Sequence, residues 1–84
     1  MENIGIKVNS ELIYNTIGQN IKIARLNKGI TGQDLANACC LSYGYIKNLE
    51  SIKVHATISI ETLYLIASQL DVSIKDLLDG LDSL

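Results

Sequence analysis

Apolar residues recur along most of this chain at helical spacing. Ile13, Ile17, Ile21 and Ala24 follow at intervals of four, four and three, which places them on one helical face. Gly18 interrupts this stretch, and a glycine weakens a helix interior, so a late start or a bend is expected there. Gly29 reads as the C-cap, with Lys28 favourably placed in the last turn. Thr31, three residues ahead of Asp34, forms a variant capping box for a short helix that runs to about Cys39 and buries Leu35, Ala36 and Cys39. Ser42 opens another short helix, with Ile46 and Leu49 inward, ending near Ser51. Ile52 to Thr57 shows no period and reads as a loop. Thr57 or Ser59 caps a fourth helix with an inner stripe of Ile60, Leu63, Ala67 and Leu70. After a tight connection at Asp71-Val72, Ser73 caps a fifth helix holding Ile74, Leu77 and Leu78 and closed by Gly80. Nearer the N-terminus, Ile4 to Val8 alternates weakly, and Asn9 or Ser10 is placed to cap the first helix. The expected architecture is all-α, a compact five-helix bundle over residues 17–80. Residues 1–16 are an N-terminal extension, extended or leading into helix 1, and residues 81–84 are a tail.

Composition narrows the class. With 48% hydrophobic and 19% charged residues the chain is too apolar and too weakly charged for disorder. Its 84 residues make one domain with a modest core, which a second copy can extend. No apolar run approaches the ~18–20 residues of a membrane helix, and the first residues lack the pattern of a signal peptide, so a cytoplasmic location is expected. Cys39 and Cys40 are neighbours, and with His55 the only histidine they make a poor zinc site. They read as reduced thiols, at least one of them buried as a small apolar residue. No cofactor, metal site or catalytic constellation is expected: there is no second His, no Gly-rich phosphate loop and no organised carboxylate pair.

The net charge of −2 hides a division. Residues 18–56 carry Lys22, Arg25, Lys28, Lys47 and Lys53 against Asp34 and Glu50. Residues 57–84 carry Lys75 against Glu61, Asp71, Asp76, Asp79 and Asp82. Binding follows the local field, so a basic middle is compatible with a nucleic-acid partner despite the acidic sum.

The informative stretch is 31–51: two short helices joined by about three residues, the second opening at a capping serine, which is helix-turn-helix spacing. Ala36 lets the two helices cross closely. Leu41, Ile46 and Leu49 anchor the second helix, leaving Tyr43, Gly44, Lys47 and Asn48 on its other face, free to enter a major groove.

Over these residues the chain resembles the lambda-repressor-like (Cro/CI, Xre-type) helix-turn-helix domains. The matching pieces are Ile21 to Arg25, Lys28-Gly29-Ile30-Thr31, Asp34-Leu35-Ala36, Leu41-Ser42, Ile46, Leu49-Glu50, Leu63, Ile66-Ala67, Leu70, Val72-Ser73 and Leu77-Leu78. The resemblance implies a structural salt bridge between Arg25 and Glu50. It also implies base contacts from Tyr43, Gly44, Lys47 and Asn48, and phosphate contacts from Arg25, Gly32, Gln33, Ser42, Ser51, Lys53 and His55. Gly32 stands where the family often has a phosphate-binding Gln, with Gln33 one place late. Cys40 stands where the turn usually has Gly, so it must avoid or tolerate a left-handed backbone.

Leu65, Leu78, Leu81 and Leu84 are surplus to the inner stripes, and the family often dimerises through its last two helices, so these leucines are the expected dimer interface; otherwise they close the small core. Tyr14, Tyr45 and Tyr64 are expected to pack rather than to touch a ligand. The function expected is a sequence-specific, homodimeric repressor acting on double-stranded DNA, with no membrane role. The alternative is a helix-turn-helix interaction module with a protein partner, such as an antitoxin or a phage-encoded inhibitor, without specific DNA reading.

Overall fold

The computed structural model describes residues 9–54 and 56–84. The alternating segment Ile4 to Val8 and the expected phosphate contact of His55 lie outside the described residues. The chain is all-α: α1 (Ser10–Lys28), α2 (Gly32–Cys39), α3 (Tyr43–Leu49), α4 (Ile60–Leu70) and α5 (Ile74–Leu77), followed by one 3₁₀ turn at Leu81–Ser83.

Local side-chain chemistry sets the helix starts. The side chains of Asn9, Thr31, Ser42, Ser59 and Ser73 each accept a hydrogen bond from a backbone N–H three residues on, satisfying a donor that the first turn leaves over. At α2 the box is reciprocal: Asp34 N–H donates to Thr31 Oγ1 at 3.0 Å, and Thr31 N–H donates to Asp34 Oδ2 at 3.1 Å. These bonds, the Thr31 backbone donation foremost, hold the Asp34 carboxyl below its ordinary range. A carboxyl lowered on folding stabilises the fold above its unfolded pKa and loses that contribution as pH falls through the lowered value. The melting difference between wild type and Asp34→Ala is therefore expected at pH 7 and should shrink below about pH 4. Thr31→Ala should cost about 1 kcal/mol in chemical denaturation.

The stops differ. Gly29, at φ +80°, closes α1 by donating to the Arg25 and Leu26 carbonyls. Cys40 and Asp71 take the same left-handed conformation without being glycine, at φ 57° and 58°. Cys40 therefore tolerates what its position in the turn demands, at the cost of some backbone strain. Both cysteines are free thiols, Cys39 buried and Cys40 exposed. Burial pushes the Cys39 thiol pKa up.

α1 begins at Ser10, capped by Asn9, one of the two residues placed to cap it, so its first turns occupy residues 10–16. One expectation changes: the helix does not start late at Gly18 but runs through it, 19 residues in all. Gly18 is buried, because α1 packs there against the end of α3. α5 is shorter than expected, four residues, and Leu78 to Gly80 forms a turn.

One core cluster joins the helices, with Ile21, Leu35, Ala36, Ile46, Leu63, Ile66 and Leu77 almost fully excluded from solvent. Ile60 departs from its expected inner position. The buried stripe of α4 is Leu63, Ile66, Ala67 and Leu70, and Ile60, the first residue of the helix, is 70% exposed at the stripe's edge. Tyr64, one turn on, is 67% exposed, so it does not pack as expected. Tyr45 does: it is half-buried, and its hydroxyl donates to the Thr57 carbonyl at 2.7 Å, tying the α3–α4 loop to α3. Burial raises its pKa.

Candidate nucleic-acid interface

α3 is a helix of seven residues, too short to hold itself, so its position is set by what grips it. Its inner face, Ile46 and Leu49, is buried. Its C-terminal end is fixed by three features of α1. Gly18 lets the α1 backbone approach the Leu49 carbonyl closely; a Cβ built on Gly18 would sit far inside van der Waals contact distance of that oxygen and 2.9 Å from the carbonyl carbon. Gln19 Nε2 donates to the Glu50 carbonyl at 2.8 Å, satisfying an acceptor that the helix end leaves open. Arg25 then takes the Glu50 carboxylate in a two-pronged grip, Nε to Oε2 at 2.8 Å and Nη2 to Oε1 at 2.9 Å.

The Arg25–Glu50 pair has the geometry expected of a salt bridge between the first and third helices. Both side chains are nearly buried, 12% and 10% exposed. Arg25 also donates from Nη1 to the Ile30 carbonyl at 2.9 Å, so one guanidinium joins α1, the α1–α2 loop and the end of α3. The hydrogen bond to Glu50 raises the Arg25 pKa above its ordinary value, outweighing desolvation.

With its inner face and end fixed, α3 turns Tyr43, Gly44, Lys47 and Asn48 outward, all exposed. Gly44 has open space around it. Tyr43 lies against the start of α2: its ring would be 3.1 Å from a Cβ on Gly32. Gly32 thus has a packing reason to lack a side chain, since a larger residue would have to push the ring aside. Gly32, Tyr43 and Lys47 line one shallow depression together with Lys22, Arg25, Ile46 and Glu50. The α2 N-terminus, where backbone donors favour anions, therefore opens onto a depression that two lysines also line.

Lys22, counted in the basic middle, is the residue that sequence reasoning left out of the candidate site. It precedes Arg25 by three positions, and that spacing was the available signal, because residues three apart neighbour one another on a helix.

The other expected site residues divide. The Ser42 hydroxyl caps α3 by accepting from Tyr45 N–H at 3.0 Å. Ser51 Oγ accepts from Lys53 N–H at 3.1 Å, leaving the Lys53 side chain exposed. Gln33 is exposed and donates to Asn37 Oδ1 on the outer surface of α2 at 3.0 Å. Lys28, counted in the basic middle, belongs elsewhere: its Nζ binds Asp71 Oδ2 at 2.6 Å and the Gln69 carbonyl at 3.0 Å, capping α4. Of the surplus leucines, Leu78 and Leu81 pack against the core, whereas Leu65 and Leu84 are 37% and 55% exposed. Among the described residues no cluster of His, Cys, Asp or Glu is suited to a metal ion, and no helix is long and apolar enough to cross a membrane.

The helix-turn-helix family profile matches residues 21–77. No match is found among curated proteins. Among solved structures, the chain is similar to the clp gene regulator ClgR from C. glutamicum, at 30% identity over 79% of this chain and 83% of that one, with a TM-score of 0.72. It is also similar to a chain of the SinR protein/SinI protein complex, at 33% identity over 81% of this chain and 66% of that one, with a TM-score of 0.69. The hypothetical transcription factor NHTF from Neisseria shares the fold over 94% of both chains, with a TM-score of 0.72 at 23% identity. With the family profile spanning both helices of the motif and the elements packed around them, the chain belongs to the helix-turn-helix family, as a DNA-binding domain of the lambda-repressor-like (Cro/CI, Xre-type) kind.

Proposed function

We propose that the protein is a sequence-specific, homodimeric transcriptional regulator, a repressor that occludes a promoter by laying α3 into the major groove of each half-site. The observation that carries this reading is the division of labour on α3. Its inner face and C-terminal end are committed to the fold, while Tyr43, Gly44, Lys47 and Asn48 project outward beside Lys22 and the start of α2. Asn48 suits a bidentate contact to adenine, and Lys47 reaches guanine or a phosphate. Lys22, Lys53, Ser51, Ser42 and the Gly32 N–H supply backbone contacts, which position the helix without reading sequence. Two copies place two α3 helices on half-sites about one helical turn apart. Exposed Leu65, beside Tyr64 and Ile60 on the outer side of α4, supports a dimer contact there. ClgR is named as a gene regulator, which agrees with this reading.

The test is binding to the DNA upstream of the protein's own gene across a salt series, with random DNA as control. Specific binding should be ~10³-fold tighter than random and should weaken with salt. Asn48→Ala should lose about 1–3 kcal/mol and relax preference at one base position, while Lys47→Ala should weaken binding and lower the salt slope by about 1 if it meets a phosphate. Equal, weak binding to both DNAs, unchanged by either substitution, would reject DNA reading. It would favour the second reading, a protein-interaction module, which the acidic net charge supports.

A further inference from the structure

A cleft of about 530 Å³ lies between the C-terminal half of α1 and the α4–α5 end of the bundle. Its apolar lining comes from Ala24, Leu70, Val72 and Leu77, with Ile23, 56% exposed, as one wall. None of the lining residues comes from α2 or α3. Side chains bridge the two sides of the cleft and fix their separation. At one end Asn20 Nδ2 donates to the Leu77 and Asp79 carbonyls at 2.9 and 2.8 Å. At the other, Lys28 reaches from α1 to Asp71 and the Gln69 carbonyl. Such a preformed apolar cleft needs little reorganisation to accept a ligand.

The lining is acidic. It includes Asp71, Asp76 and Asp79, and its one cation, Lys28, is paired with Asp71. Asp76 gives one oxygen to Ser73 N–H, and both Asp76 and Asp79 are exposed. We propose that this cleft docks a basic amphipathic segment of a partner protein, an apolar side chain entering between Ile23 and Val72 with flanking Lys or Arg meeting Asp76 and Asp79. Charge complementarity selects this occupant. A second copy docking by the same face would set one acidic rim against another, because a two-fold contact opposes like surfaces. A purely ionic ligand would leave the apolar wall exposed. Because α2 and α3 contribute nothing to the cleft, the partner and DNA can be held at the same time. Simultaneous binding rests on the proposed DNA reading, and the docking itself does not.

The experiment titrates the ¹⁵N-labelled full chain with a twelve-residue peptide of Leu and Lys at amphipathic helical spacing, in the absence of DNA. Saturable amide shifts centred on Ile23, Ala24, Val72 and Asp79 are expected. Ile23→Asn and Asp79→Lys, both at exposed positions, should retain wild-type circular dichroism and each weaken binding by ~10-fold or more. Shifts centred on α2 and α3, or affinity unchanged in both variants, would overturn the proposal. So would an equal response to a Lys/Ser peptide, which would reduce the effect to charge. The same shifts with spermidine alone would reassign the cleft to a small amine, and the same shifts on raising protein concentration alone would reassign it to a second copy; either also overturns it. Loss of DNA binding in the salt-series assay leaves all these readouts intact.

Discussion

Gly18→Ala is expected to destabilise the fold by about 3 kcal/mol, the upper part of the range for overpacking, and so to lower the melting temperature by roughly 12–24 °C in a domain of this size. By helix propensity alone the same change should stabilise α1 by up to about 1 kcal/mol. Contact decides the sign. The added methyl would strike the Leu49 carbonyl oxygen, a backbone atom that cannot rotate away as a side chain would. Relief requires α1 and α3 to separate, which also disturbs the bonds that Gln19 and Arg25 make beside it and two turns further along. Gly44→Ala is the internal control, since nothing lies within 4 Å of a Cβ there. It should raise the melting temperature by a few degrees. Thermal melts of the two variants beside wild type make the comparison. A Gly18→Ala protein melting at or above wild type would show that α1 and the end of α3 do not meet this closely. The Gly44→Ala protein adds a second readout: if it is the more stable and yet binds DNA less well, the open space above Gly44 is occupied in the complex.

The features legible in the sequence were the local ones. Thr31, Ser42 and Ser73 cap their helices because a short side chain meets an N–H three residues on, and that relation is visible without a fold. Cys40 was recognisable as a residue placed where the chain must turn left-handed. Gly18 was not legible as a contact. A glycine within a helical pattern reads as a weakness until the element it approaches is known, and that element lies about 30 positions away. Ile60 misled for a different reason: it shares the spacing of the inner stripe, but at the first turn of α4 the core does not reach it, and Ile66 fills the stripe instead. Charge counting placed Lys28 with the basic middle, although its ammonium caps α4 beside Asp71, and it gave Lys22 the same weight without showing that Lys22 shares a depression with Lys47. Segment charge reports what is nearby in sequence, whereas the field that a ligand meets depends on which side of the helix each residue occupies.

Glu50→Ala is expected to cost about 3 kcal/mol, the low end of the range for removing one member of a buried pair, because both side chains keep a small edge in solvent. The loss falls on Arg25. Its guanidinium stays charged in a nearly buried site, retains only the Ile30 carbonyl among the partners it has in wild type, and no longer holds the end of α3. Urea denaturation should show the cost, and a variant within about 0.5 kcal/mol of wild type would mean that the pair does little for the fold. The double variant Arg25→Met/Glu50→Leu separates the two roles of Arg25. Replacing both members by apolar residues removes the unpaired charge and should recover most of the lost stability, as such swaps are often neutral or better. If Arg25 also meets a DNA phosphate, the recovered protein should still bind DNA less tightly, with a salt slope smaller by about 1. Wild-type stability together with wild-type salt dependence would confine Arg25 to positioning α3, and the phosphate contacts would then rest on Lys22, Lys47, Lys53 and the start of α2.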